Sequence, residues 1–227
     1  MKFVKLNTLK DLNRSIHKKW IYKDENKFNL AQNYLQKINY SIQDINYKSE
    51  NLEINNESIN FIVCCVAWIE EAYAFYEKSL KNGIVSNFNF SNETKLTQAK
   101  KYFKAIRSFI LAHPLGTDRH KDMGLDGNYI CIDIMTKDCP SIILLNNREK
   151  HFRSFRYDGM ENGKKKCNFF LKTYSNYFYN SQYSVYIGIV LEDILGYARL
   201  CINKLYELSR YLNKLKKKEF DMMINHE

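Results

Sequence analysis

The chain has 227 residues, enough for one domain with a sizeable core, and a formal charge of +10 that favours an anionic partner such as nucleic acid. Only two prolines and eight glycines occur, which excludes a loop-rich or disordered chain and fits a compact, mostly helical one. The six cysteines contain no Cys-x-x-Cys pair, which argues against both a zinc site and a secreted disulfide framework.

The first residues, Met1 to Asn7, lack the apolar core of a signal peptide, so a cytoplasmic protein is expected. Thr8 to Trp20 reads as a short helix capped by Asn7 or Thr8, with His17 on its surface beside Lys18 and Lys19. Leu30, Tyr34, Leu35, Ile38, Ile42 and Ile45 then recur at helical spacing. The polar stretch Asn46 to Glu57 has no period and predicts a loop. Ser58 or Asn60 opens the next helix, which Asn82-Gly83 stops after Lys81. Val66, Ile69, Tyr73, Tyr76 and Leu80 form its stripe, and its early half is apolar nearly all round, as in the centre of a bundle. The longest apolar run there, Phe61 to Ile69, is too short to span a bilayer, so no membrane partner is expected.

A second loop, Gly83 to Asn92, carries Phe88 and Phe90 against the bundle. Ser91, with Thr94 as second candidate, is the expected cap of a helix whose Leu96, Ala99, Phe103, Ile106 and Ile110 lead to a break at Pro114. Lys95, Lys100, Lys101 and Lys104 read as its polar side, a pattern shared by a phosphate-tracking face and an ordinary solvated one. Arg107 interrupts the apolar residues near the helix end. A guanidinium there needs a partner or an opening, because burying it alone is expensive. Residues that precede proline leave helical geometry, so His113 projects differently from the residues behind it. On an unbroken helix Arg107 and His113 would stand about 120° apart; the break lets them converge.

The stretch Arg107-Ser108-Phe109-Ile110-Leu111-Ala112-His113-Pro114 resembles the signature of HEPN-domain ribonucleases. One departure is Ser108, where that family usually has Asn, Asp or another strongly polar residue. The resemblance covers about Asn60 to His120. It implies a mainly α, HEPN-like helical bundle, commonly dimeric, of toxin or antiviral defence type. It also implies catalysis by Arg107 and His113 with Ser108 assisting, and an acidic residue from the preceding helix, Glu70 or Glu71, near that pair. Adjacent residues on a helix point in different directions, so at most one of the two glutamates enters a cleft.

Beyond Pro114 the texture changes. Tyr129 to Ile134, Ser141 to Leu145, His151 to Tyr157 and Cys167 to Tyr174 are rich in β-formers, and Glu161-Asn162-Gly163 suits a hairpin between the last two. A small antiparallel β insertion between the motif helix and the C-terminal helix is expected. Arg148, Lys150, Arg153, Arg156 and Lys164 to Lys166 interleave with Phe152, Phe155, Tyr157, Phe169 and Phe170. That mixture fits single-stranded RNA or, more simply, a sheet with one wet face. From about Ser184 the chain returns to helix, with a seam of Leu191, Ile194, Ala198, Ile202, Leu205, Leu208, Leu212 and Leu215. One domain is expected, with a bundle over 1–122, the β-rich insertion over 123–180 and the C-terminal helix over 181–227.

The function expected is RNA endonuclease without a metal or other cofactor. Arg119 and His120, after the break, join Lys100 and Lys104 as RNA-binding candidates. Only a loose group, Asp118, His120, Asp122, Asp126 and Asp133, offers metal-type ligands. A single motif implies a homodimer, with an antitoxin or regulatory protein as a further partner. The alternative is a non-catalytic helical module that binds RNA or protein, with Arg107 in a structural ion pair to Glu70 or Glu71.

Overall fold

The structure, a computed structural model, describes residues 5–9, 16, 18, 21–22, 24–50, 52–81, 91, 93–111, 129–135, 167–175 and 184–215. The described chain is mainly helical. Its elements in order are α1 (Glu25–Glu50), α2 (Asn56–Lys81), α3 (Glu93–Leu111), β1 (Tyr129–Met135), β2 (Phe169–Ser175), β3 (Ser184–Ile189) and α4 (Leu191–Lys214). It divides into two compact units. One takes the start of α2, then α3, the strands and the first turns of α4; the other takes the N-terminal segment, α1, the rest of α2 and the rest of α4.

In the first unit the strands form an antiparallel sheet of order β1-β2-β3, as the expected insertion requires. The register shifts between Cys131 and Asp133, a bulge that turns β1 locally. Phe169, Phe170 and Leu171 of β2 are all buried, as is usual in a central strand covered on both faces. The Asn56 amide donates to Asp133 of β1 at 3.3 Å, and α3 also lies against β1. Phe103 of α3 packs on Tyr197 of α4, centroids 5.1 Å apart. Asn168 joins sheet to helix: its N–H donates to the Ile189 carbonyl at 2.9 Å, while its side-chain oxygen accepts from the Leu191 N–H at 2.7 Å. That oxygen satisfies one of the orphan donors of the first turn of α4.

Ser184 to Ile189 is thus a strand, and the helix expected from Ser184 begins at Leu191. Val185, Tyr186 and Ile187 are β-formers, and pairing with β2 decides their state. The expected strands at Ser141–Leu145 and His151–Tyr157, and the turn at Glu161-Asn162-Gly163, lie outside the described residues.

In the second unit, Ala31, Leu35, Ile38, Ile42 and Ile45 of α1 are buried, as are Val66, Ile69, Tyr73 and Tyr76 of α2. The α4 residues from Ala198 to Leu212 in the predicted seam are buried too. Leu30 is exposed, because Ala31 and Leu35 occupy the inner face instead. Asp24 caps α1, accepting from the Lys27 N–H at 2.7 Å. Beyond Asn46, α1 continues four residues further than its apolar period. Asn46 explains part of this, since its amide donates to the Leu6 carbonyl at 2.9 Å and accepts from the Leu6 N–H at 2.8 Å. The cap of α2, in the first unit, is Asn55 rather than Ser58 or Asn60: its side chain accepts from the Ser58 N–H at 2.8 Å. The short helix read over Thr8–Trp20 lies largely outside the described residues.

Over Asn56–Lys78, α2 is long and apolar enough to cross a bilayer by length and composition, with mean hydropathy 1.4, which the shorter run Phe61 to Ile69 understates. More than half of its apolar window is buried inside the protein, the packing of a core helix and compatible with a soluble protein. It is not enclosed all round: Phe61, Cys64 and Trp68 are exposed, and Lys37 of α1 sets its ammonium 5.0 Å from the centre of the Trp68 ring.

Candidate nucleic-acid interface

The site is carried by α3. Leu96, Ala99, Tyr102, Phe103, Ala105, Ile106 and Phe109 are buried and fix which side of the helix faces inward. At 100° per residue, Lys100, Lys104 and Arg107 fall within an arc of about 60° that borders the buried face on the side of Leu96 and Phe103, and Ser108 and Lys101 lie beyond its opposite edge. Lys101 and Lys104 are exposed, while Lys100, Arg107 and Ser108 are half-buried. From Thr94 to Leu111 there is no Asp or Glu, so no acidic side chain on this helix offsets the stripe after its first residue. Lys95, expected on the same side, stands about 140° from Lys100 and does not belong to it. The three aligned cations cover about 10 Å along the axis, a length that meets successive phosphates of an extended strand.

Arg107 stands just before the last turn of α3 and is half-buried, not sealed in the interior. His113, Arg119 and His120 lie outside the described residues. Glu70 is buried and Glu71 exposed, so adjacent glutamates do face opposite environments; both belong to the second unit. Ser91, the expected cap of α3, instead gives its hydroxyl to the Glu207 carboxylate of α4, and its N–H donates to the same group at 3.1 Å. Among the described residues no group of three or more His, Cys, Asp or Glu is arranged to hold a metal ion.

Sequence reasoning missed a second polar centre. Lys204 of α4 is 2% exposed, and its ammonium lies 3.2 Å from Glu207, one turn on. A lysine and a glutamate three apart inside a leucine seam were the available signal. Comparison with protein-family models, curated proteins and solved structures finds no match.

Proposed function

We propose that the protein is a cytoplasmic, metal-independent RNA endonuclease of HEPN type, acting as a homodimer in a toxin or antiviral defence role. The observation that supports this best is the cationic stripe Lys100, Lys104 and Arg107 along α3. In the sequence, His113 follows two positions after the end of α3. In this reading the lysines hold the RNA backbone and Arg107 clamps the scissile phosphate through its planar fork. His113, at the proline break, moves the proton as the ribose 2′-hydroxyl attacks the adjacent phosphorus. The 2′-oxygen–phosphorus bond forms, the phosphorus–5′-oxygen bond breaks, and the leaving oxygen takes up a proton. Ser108 adds a hydrogen bond to the phosphate, and Arg119 and His120 extend the binding surface. Charge gathering on the phosphate oxygens is the main demand on the site, and a fixed guanidinium meets it.

The test is cleavage of single-stranded RNA by purified protein, with and without a chelator. Wild type is expected to cut in both conditions. Arg107→Ala and His113→Ala are expected to keep the wild-type circular dichroism and melting curve while losing at least about a hundredfold in rate. Equal cleavage by wild type and both variants would remove the assignment. RNA bound tightly and never cut would leave the non-catalytic RNA-binding module. Loss of folding in Arg107→Ala would mark the arginine as a structural ion-pair partner.

A further inference from the structure

Within the second unit, Asn7, Asn203, Tyr206, Glu207 and Arg210 line a cleft of about 520 Å³, a volume in the range of small-molecule sites. Its walls are held more firmly than a solvated surface requires. The Tyr206 hydroxyl donates to the Thr8 carbonyl at 2.7 Å, and Leu6, beside Asn7, is held by Asn46 through both of its backbone groups. Glu207 accepts from the Ser91 hydroxyl, from the Ser91 N–H at 3.1 Å and from the Lys204 ammonium at 3.2 Å. Three of the carboxylate's roughly four lone-pair positions are therefore filled. Such support from behind is what keeps a binding constellation in one geometry.

The charge of the cleft follows from the same contacts. Lys204 offsets Glu207, so among the described residues the exposed Arg210 leaves the cleft with a net positive charge. Its guanidinium suits a phosphate in two-pronged fashion. The Asn7 and Asn203 amides add donors and acceptors, and Tyr206 adds an aromatic ring on which a base can stack. We propose that this cleft binds a nucleoside monophosphate, its phosphate on Arg210 and its sugar and base along Asn7, Asn203 and Tyr206. The cleft uses none of the residues of the stripe on α3.

Isothermal titration of the full-length protein with each of the four 5′-ribonucleoside monophosphates tests this, with the parent nucleosides and inorganic phosphate as controls. At least one monophosphate is expected to saturate, with its nucleoside and inorganic phosphate each binding about tenfold more weakly or worse. Arg210→Ala is expected to fold normally and lose about tenfold in affinity, and Arg210→Lys to recover part of the loss. The proposal is overturned if none of the four saturates up to about 10 mM, or if Arg210→Ala binds as wild type. It is also overturned if the double variant Lys100→Ala/Lys104→Ala abolishes binding while Arg210→Ala does not, since the nucleotide would then sit on α3. Failure here leaves RNA cleavage through Arg107 and His113 untouched.

Discussion

Glu207 is the residue on which opposing effects are most clearly balanced. Burial pushes its carboxyl pKa up, while hydrogen bonds from the Ser91 hydroxyl, from Lys204 and from the Ser91 N–H, with the Lys204 charge, outweigh it and hold it below the ordinary value of 4.5. A carboxylate whose folded pKa is depressed contributes stability that is present above its unfolded pKa and is lost as pH falls through the folded one. Glu207→Gln should therefore be less stable than wild type at neutral pH, and the gap should narrow as pH drops below about 4.5. Urea unfolding of both proteins at pH 7 and at pH 3.5 measures this; a gap that does not change with pH would show that the charge of Glu207 contributes nothing. None of it was legible in the sequence. Ser91 reads as a helix cap because serine before an acidic first turn usually is one, and only the fold brings α4 within reach of it.

At the scale of the element, periodicity located the helices well and their ends poorly. Apolar spacing belongs to the buried face and says nothing about where capping groups stop the helix. Asn55 and Asp24 begin α2 and α1 through single side-chain hydrogen bonds, and Asn46 lets α1 run on to Glu50 through a contact with Leu6, forty positions away. β3 follows the same logic: Ser184 to Ile189 takes its state from pairing with β2, a non-local decision, and not from the helical seam that follows it. On α3 the sequence was more informative. The buried positions Leu96, Ala99, Phe103 and Ile106 are readable, and with them the polar side of Lys100 and Lys104; that Arg107 aligns with those two lysines while Lys95 does not is seen only in the helix itself. If that stripe holds RNA phosphates, Lys100→Ala/Lys104→Ala should reduce the slope of log affinity against log salt by about 1.4 on single-stranded RNA. Fluorescence anisotropy across a salt series measures it, and an unaltered slope would take the strand off α3.

For the molecule as a whole, a mainly α chain with a three-stranded antiparallel insertion was foreseeable because two periods coexist along it, 3.6 residues in the helices and 2 in the strands. The division into two units was not, since α2 and α4 each supply both and no linker composition marks a boundary. The proposed nuclease carries one Arg107–His113 motif per chain, so a composite site needs two chains. Size-exclusion chromatography with light scattering is expected to give about 54 kDa, twice the 27.1 kDa of one chain. A monomer over the concentration range at which RNA is cut would leave the motif without a mate and the two-chain mechanism without support.

Asn168 carries a consequence for how the first unit responds to change. Only Val190 separates β3 from α4, and one asparagine holds the final rung of the ladder with its main chain and the opening of the helix with its side chain. The direction in which α4 departs is thereby dictated by the sheet, as a rafter's pitch is dictated by the wall plate it is notched into. A substitution that loosens the start of β2 would be felt first at Leu191, before any of the apolar packing farther along the helix gave way.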